Sequence, residues 1–281
     1  MHLLPLSPSQ RGLWFAQQLN PDIPFTTAQY VEFRGELDAD LVRNACERAA
    51  REVESGTLVL VEQDGKPFQK VVPDIEDAPR YLDLRSEKDP EAAAHRWMTE
   101  QYTKPLDLLS DRLIATTVLR IADDRYFLSS YVHHIALDGQ GAVNMLNRAA
   151  ELYSAWVSGS EAPPLKATPI ADILDVEAAY VGSKRQDTDR QHWLERLADL
   201  PESVSFVDHE APLGVPARRT NSELDADTAA AVSALAHDAN STDVPIVLAA
   251  FGAFLARTTG VVDVVLSLPV SARTKIGRAH V

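Results

Sequence analysis

The stretch YVHHIALDGQG, residues 131–141, places two adjacent histidines ahead of an Asp-Gly pair. The apolar and β-branched residues before the histidines predict a strand. After the Asp-Gly pair, QGAVNMLNRAAELYSAWVS (140–158) repeats apolar residues at helical spacing, which predicts a helix with this core-facing set: Val143, Leu146, Ala149, Ala150, Tyr153 and Val157. The motif therefore lies at a strand-to-helix junction, where reactive side chains are often mounted.

The two histidines do not favour a metal site. Successive side chains of a strand point to opposite faces, so His133 and His134 are poorly placed to bind one ion together. A zinc site needs further ligands, and no His-x₃-His or cysteine pair with suitable spacing occurs in the sequence. We predict that no metal is bound. Two interpretations remain: a reactive histidine beside a cleft, or a core histidine followed by an aspartate, Asp138, that caps the next helix.

Composition narrows the class of protein. The 281 residues are 45% hydrophobic, as in globular proteins, and carry 27 Lys and Arg against 41 Asp and Glu. The resulting net charge of −14 disfavours binding to nucleic acid or to anionic lipid. The longest apolar run, VPIVLAAFGAFLA, is shorter than the roughly 20 residues of a membrane span, and no secretion signal is visible. We predict a soluble, cytoplasmic protein without nucleic-acid or membrane partners.

Cys46 is the only cysteine, so no disulfide can form within the chain, which suits the cytoplasm. It lies among apolar residues at helical spacing, in ADLVRNACERAAREV. We predict a buried core thiol and therefore a poor nucleophile.

Working outward from the motif, the first part of the chain alternates strands and helices. Before the motif we predict a strand over 28–35, then a helix capped by Asp38 or Asp40. A hairpin over 57–72 that turns at Asp64-Gly65 and a helix over about 89–103 follow. Two antiparallel strands, within 112–122 and 125–137, lead into the motif. An exposed connector over 159–169 follows the motif helix.

The second part of the chain repeats the alternation. We predict helices near 170–182 and 187–199, a strand over 219–224, a helix over 226–238, a helix capped by Asp243 and ended by Gly260, and a strand over 261–270. The pattern indicates an α/β (α+β) protein of two halves, with a boundary near residue 180.

Three segments resemble one known family. HHIALDG (133–139) matches the His-His-x-x-x-Asp-Gly signature of condensation domains of nonribosomal peptide synthetases, in the chloramphenicol acetyltransferase-like superfamily. LSPSQRGLWFAQQL (6–19) resembles the N-terminal signature of that family, and LSLPVSAR (266–273) resembles a later segment that ends with an arginine. One departure is REVESGTLVL, which keeps only Arg51 and Thr57 of a stretch found in most members. The resemblance implies a two-lobed sandwich, with an N-terminal lobe over 1–180 and the start of a C-terminal lobe over 181–281.

Two finer expectations follow from the resemblance. The stretch YVHHIALDGQGAVNMLNRAAELY resembles condensation domains of siderophore synthetases more than it resembles the average member. Family members are longer than this chain, so we expect the second lobe to be truncated. The last six residues, IGRAHV (276–281), resemble one reading frame of a common sequencing adapter; a genuine tail is the alternative.

The resemblance also implies an activity. Such a domain joins an acyl group, held as a thioester on a donor peptidyl carrier protein, to the amine of an aminoacyl group on an acceptor carrier protein. The substrates are carried on phosphopantetheine of these partners, no cofactor is bound directly, and an adenylation domain is adjacent. His134 is expected to orient or deprotonate the attacking amine in a tunnel between the lobes. Ser130 and Val132, on the same strand face, are expected to line the same passage.

The remaining motif residues are assigned supporting roles by the resemblance. His133 is expected to be structural, and Gly139 to permit close backbone approach or an unusual φ. Asp138, which the resemblance counts with His134 in the catalytic motif, is expected to pair with Arg273 across the lobes. The alternatives are that Asp138 only caps the helix and that Arg273 is a solvated loop charge. Trp14, in the N-terminal signature, is expected to pack in the core.

Three other functions remain open. An acyltransferase of the same superfamily could use an acyl-coenzyme A donor in place of a carrier protein. A non-catalytic module could only bind carrier proteins. An epimerase relative carries the same His-His-x-x-x-Asp-Gly motif.

Overall fold

The computed structural model describes residues 3–73, 79–165, 167–201, 204–206, 220 and 222–268. The chain divides into two compact units, of which the first ends at Val181 and the second begins at Gly182. Both the histidine motif and the predicted hairpin belong to the first unit.

The first unit alternates short strands with amphipathic helices. Its elements, in chain order, are β1 (Leu4–Pro5), α1 (Pro8–Leu19), β2 (Thr26–Arg34), α2 (Ala39–Glu52), β3 (Leu58–Gln63), β4 (Lys66–Val71), β5 (Arg80–Asp83), α3 (Pro90–Thr103), β6 (Ile114–Ala122), β7 (Arg125–His133), α4 (Gly139–Val157) and α5 (Ile170–Tyr180). A single 3₁₀ turn, Glu54–Thr57, joins α2 to β3.

Two sheets organise this unit. The larger has the order β2-β7-β6-β5, in which β5 and β6 are parallel and the other pairs antiparallel. The smaller has the order β1-β4-β3. Strand β7 is central in the larger sheet, and its last residue, His133, pairs with Thr26 of β2. The sheet thus delivers the histidine motif to one end of its central strand.

Local sequence signals explain where the elements begin. The side chain of Ser7 accepts from the backbone N–H of Gln10 and the side chain of Gln10 accepts from that of Ser7, a capping box that starts α1. Aspartates cap the next helices: Asp38 caps α2 and Asp89 caps α3. Asp64 and Gly65 both have positive φ, 52° and 70°, as a two-residue type I′ hairpin turn requires. The predicted hairpin, the Asp38 cap, the helix over about 89–103 and the antiparallel β6–β7 pair are confirmed.

The main core lies between one face of the larger sheet and the helices α2 and α4. Leu128 and Val132 of β7 belong to it, as do Ala49 of α2 and Ala149 of α4. The opposite face, which carries Phe127, packs with α3 in a second cluster. Trp14 and Cys46 are buried in the main core, as the sequence predicted.

The buried face of α4 differs from the predicted one. Of the predicted set, Ala149 is buried and Leu146 and Tyr153 pack partly buried against the core, whereas Val143, Ala150 and Val157 are exposed. The buried positions of this helix are Gly141, Ala142, Met145, Arg148, Ala149, Leu152 and Ala155. Four of these seven residues are Gly or Ala, which lets α2 pack closely against α4. Arg148, an unexpected member of the set, is 5% exposed and its Nε lies 2.6 Å from a carboxylate oxygen of Glu52 on α2.

The described part of the second unit is helical: α6 (Lys184–Arg196), α7 (Ala226–Asp238) and α8 (Asp243–Thr259). Gly260 ends α8 with a φ of 77°, as predicted. Asp243 is not the cap, because Thr242 holds that position and Asp243 is in the first turn. The strands predicted over 219–224 and 261–270 are absent from the described residues of those ranges, 220, 222–224 and 261–268.

Within the described ranges, no single helix is long and apolar enough to cross a membrane. The helices α7 and α8 meet that criterion of length and composition only together, as a pair bent by 106°.

Candidate active site

The two histidines of the motif end strand β7 on opposite sides. The backbone N–H of His133 donates to Leu113 O at 2.7 Å, and that of His134 donates to Phe25 O at 2.9 Å. The first bond runs toward the β6 side of the sheet and the second toward the β2 side. The His133 side chain is completely buried, whereas that of His134 is exposed. The backbone therefore fixes both residues while presenting only one imidazole to solvent.

The protonation state of His133 follows from its hydrogen bonds. Its Nδ1 accepts from the backbone N–H of Ile135 at 3.1 Å, so the proton of the neutral ring lies on Nε2. That nitrogen donates to Oε1 of Gln17 at 3.1 Å. Burial, with a smaller contribution from the neighbouring His134, lowers the pKa of His133 to about 4. His133 is therefore a neutral, fixed group at physiological pH and is unsuited to proton transfer with a substrate.

Gln17 connects this imidazole to the end of α1. Its Nε2 is within hydrogen-bonding distance of three backbone carbonyls, those of Asn20, Pro21 and Ile23, at 3.2–3.3 Å. The side chain is 4% exposed. A buried amide with partners on both of its ends holds the chain between α1 and β2 against the histidine motif.

A second glutamine of α1 holds the loop after His134. Gln10 Nε2 donates to Ile135 O at 3.1 Å and to Oε1 of Gln69 at 2.8 Å. Gln69 is fully buried in β4, and its own Nε2 donates to Pro5 O at 2.8 Å. Helix α1 thus contacts the motif at two residues, His133 and Ile135, which are two positions apart. Gln10 and Gln17 lie in the N-terminal signature, but the sequence pattern predicts no contact of Gln10, Gln17 or Gln69 with the motif.

His134 makes one side-chain hydrogen bond in the described residues. Its Nε2 lies 2.7 Å from Oγ1 of Thr27 on β2. Ser130 and Val132, which were expected to line the same passage, are each 1% exposed and lie within the closed core. The Oγ of Ser130 has no hydrogen-bond partner among the described residues. The exposed part of the strand face is therefore limited to its end.

Asp138 begins the helix that follows the motif. Its Oδ1 accepts from the backbone N–H of Gly141 at 2.7 Å, and its carbonyl accepts from that of Ala142 at 2.9 Å. The capping interpretation is therefore confirmed as a contact. The second expected partner of Asp138, Arg273, lies outside the described residues. Their pairing stays a prediction.

The unusual φ expected for Gly139 is wrong, and the close backbone approach stays a prediction. Its φ is not in the positive region, and a Cβ built on it would meet no described atom within 4 Å. The backbone conformation at the start of α4 therefore does not require glycine, and no described residue approaches closely enough to require it.

The described residues do not support metal binding or catalysis by a cysteine thiol. The described residues contain no group of three or more His, Cys, Asp or Glu that could hold a metal ion. Burial raises the pKa of the Cys46 thiol to about 12, so this residue stays protonated and is a poor nucleophile. What the site offers is an exposed imidazole on a rigid strand end, a group suited to orienting or deprotonating a nucleophile.

The chain has a mixed α/β fold in which a buried neutral histidine lies behind this imidazole and an aspartate-capped helix follows it. The fold belongs to the chloramphenicol acetyltransferase-like class. The family model described as Condensation domain matches residues 1–280. The chain belongs to the condensation domain family. These domains are amide-bond-forming enzymes of the acyltransferase type.

Individual proteins show the same similarity. The chain is 33% identical over 269 residues to a dimodular nonribosomal peptide synthase of Bacillus subtilis, covering 95% of this chain and 11% of that protein. It is 34% identical over 274 residues to an isonitrile lipopeptide synthase of Streptomyces coeruleorubidus, covering 96% and 18%.

Among solved structures, the starter condensation domain of rhizomide synthetase, a double mutant in complex with C8-CoA and Leu-SNAC, matches with a TM-score of 0.89 at 28% identity. That match covers 99% of this chain and 63% of the other. The chain therefore spans a small part of the curated synthetases and about two thirds of the solved domain.

Proposed function

We propose that this chain acts in nonribosomal peptide synthesis by forming an amide bond between a carrier-bound acyl or aminoacyl thioester and the amine of a carrier-bound aminoacyl acceptor. The observation that carries the proposal is the position of His134. Its imidazole is exposed at the end of the central strand, while His133 is buried and neutral behind it. In this proposal His134 is the catalytic residue and faces the passage through which the tethered substrates meet.

The chemistry asks little of the protein beyond placement. A thioester is already activated, so the reaction needs no acyl-enzyme, consistent with the buried thiol of Cys46. An α-amino group has a reference pKa of about 7.7–8.0, so a useful fraction is already neutral near pH 7. His134 would orient this amine and take its proton, an effect typically worth about 10²–10⁴-fold in rate. The rest of the rate enhancement comes from holding the amine beside the thioester carbonyl.

We further propose the partners and setting that this function implies. Donor and acceptor peptidyl carrier domains bring the substrates on phosphopantetheine, an adenylation domain is adjacent, no cofactor is bound directly, and the reaction takes place in the cytoplasm. Residues 1–180 form the lobe that carries the motif, and the second lobe starts at 181. Asp138, beyond its helix cap, pairs with Arg273 of the second lobe. The likeness of the motif stretch to siderophore synthetases supports a siderophore pathway.

A second candidate differs only in the donor. The solved starter domain with a TM-score of 0.89 to this chain is in complex with C8-CoA and Leu-SNAC, that is, with an acyl-coenzyme A. This likeness favours an acyl-coenzyme A as the alternative donor to the same acceptor amine. His134 keeps its role in this candidate, and only the donor partner changes.

The experiment that tests the proposal compares donors on one acceptor. The purified chain is mixed with an acceptor carrier domain loaded with an aminoacyl group, and with either an acyl-loaded donor carrier domain or octanoyl-coenzyme A. Mass spectrometry of the acceptor arm detects the new amide. We expect product from the carrier-bound donor. If the amide forms only with octanoyl-coenzyme A, the result supports the second candidate. Inversion at the α-carbon of the aminoacyl group without amide formation indicates an epimerase. Binding of carrier domains without any reaction indicates a non-catalytic module.

A further inference from the structure

We infer that Thr27 is a positioning residue for His134. Its hydroxyl oxygen lies 2.7 Å from Nε2 of the exposed imidazole, although the two residues are 107 positions apart in sequence. The inference deepens the proposed function and rests on it, because it assigns Thr27 the task of fixing the ring that meets the amine.

The pairing of β2 with β7 explains how the two side chains meet. Thr27 pairs directly with Val132, and the two residues of such an antiparallel pair share a face of the sheet. His134 is two residues beyond Val132 and so has the same parity as Thr27. The bond from the His134 backbone N–H to Phe25 O extends the pairing by one position past the end of the strand. Backbone and side chain of His134 are thus both held to β2.

A threonine hydroxyl is chemically suited to this task. It can donate a hydrogen bond to an unprotonated Nε2 and can accept one from a protonated Nε2. The contact can therefore persist when the imidazole gains or loses a proton, whereas a carboxylate in that place would favour the charged ring. Thr27 is partly exposed, and its β-branched side chain has restricted χ1 freedom on a strand, so it presents the hydroxyl in a defined direction.

The neighbouring threonine provides a matched control. Thr26 pairs with His133, so it lies on the opposite face of the same strand, and its Oγ1 is buried without a partner among the described residues. Replacing Thr26 by Val removes a hydroxyl of the same kind from the same strand without touching His134. The pair of variants Thr27→Val and Thr26→Val therefore separates the bond to His134 from general effects on β2.

The first test observes the ring directly and does not depend on activity. Nitrogen-15 NMR of the His134 imidazole is recorded for the unmodified chain and for Thr27→Val, Thr27→Ser and Thr26→Val. We expect Thr27→Val to change the Nε2 shift, Thr27→Ser to keep it, and Thr26→Val to leave it unaltered. An Nε2 shift that is the same in Thr27→Val and in the unmodified chain would overturn the inference, whatever the outcome for the proposed function.

The second test measures turnover with carrier-bound substrates. Loss of one neutral hydrogen bond predicts that Thr27→Val lowers kcat about three- to tenfold, with KM for both carriers unchanged. Thr27→Ser should restore kcat to within about twofold, and Thr26→Val should leave it unchanged. Equal kcat in Thr27→Val and in the unmodified chain would refute the positioning role. Absence of turnover in the unmodified chain would instead refute the proposed function, and the NMR result would then show whether Thr27 fixes the ring.

Discussion

The buried imidazole of His133 donates from Nε2 to the side-chain oxygen of Gln17 at 3.1 Å. This bond joins the end of the central strand β7 to helix α1, and both side chains are less than 5% exposed. Its consequence is that the exposed neighbour, His134, extends from a backbone that is held on both sides. The rigidity of the candidate site therefore depends on buried residues behind the exposed imidazole.

Replacing Gln17 by Leu is expected to destabilise the chain by about 1–3 kcal/mol, because the imidazole N–H and three backbone carbonyls lose their buried partner. The exposed neighbour Gln18, changed to Leu in the same way, is expected to alter stability by less than about 0.5 kcal/mol. Urea unfolding of the two variants measures both values. Equal midpoints for Gln17→Leu and Gln18→Leu would contradict the assigned role of this bond.

The same histidine should make stability depend on pH. Because its pKa is about 4 in the folded chain and about 6.5 when unfolded, the unfolded state binds more protons between these values. The free energy of unfolding is unaffected by this group above about pH 6.5. It falls as the pH drops toward 4, by up to about 3 kcal/mol in all. Urea unfolding at half-unit intervals in this window should give a shallower slope for His133→Asn than for the unmodified chain. Equal slopes would show that His133 does not carry the depressed pKa.

Elements with local signals were predictable from the sequence. The hairpin at Asp64-Gly65 and the caps at Asp38 and Asp138 depend on residues within a few positions of each other. Helix α1 was missed although its signal was present, because the capping box of Ser7 and Gln10 stands in a segment rich in Ser and Pro. The alternation of His133 and His134 across the strand followed from strand geometry alone.

Contacts between distant segments were not predictable from one sequence. The Thr27–His134 and Gln17–His133 bonds depend on which strands and helices become neighbours. The buried face of α4 was only partly predictable, because the apolar pattern could not show that Gly141 and Arg148 face the neighbouring helix α2. Residues 261–268 are rich in valine and leucine, as strands are, but no described strand pairs with them.

Replacing Arg148 of α4 is expected to lower the stability of the chain strongly. Arg148 is 5% exposed and contacts Glu52, and its loss leaves this largely buried carboxylate with only the exposed Arg48 as a partner, so Arg148→Ala should cost about 3 kcal/mol. Arg48 also contacts Glu52 but is 59% exposed, and Arg48→Ala should cost less than about 1 kcal/mol. Thermal or urea unfolding distinguishes them. A loss for Arg48→Ala as large as that for Arg148→Ala would contradict the view that burial sets the strength of this pair.

Two substitutions of Asp138 separate its cap from its charge. Asn caps helices about as well as Asp, so Asp138→Asn should keep stability within about 0.5 kcal/mol, whereas Asp138→Ala should cost about 1 kcal/mol. If the proposed pair with Arg273 exists, Asp138→Asn should nevertheless lower turnover substantially. Turnover equal to that of the unmodified chain would leave Asp138 with its cap alone.

The proposed activity depends on the exposed imidazole of His134. The most direct measurement is amide formation on an acceptor carrier domain by His134→Ala, with His192→Ala, another exposed histidine, as the control. We expect His134→Ala to lower the rate about 10²–10⁴-fold while the urea midpoint stays unchanged, and His192→Ala to retain the full rate. Undiminished product formation by a folded His134→Ala chain would contradict this expectation.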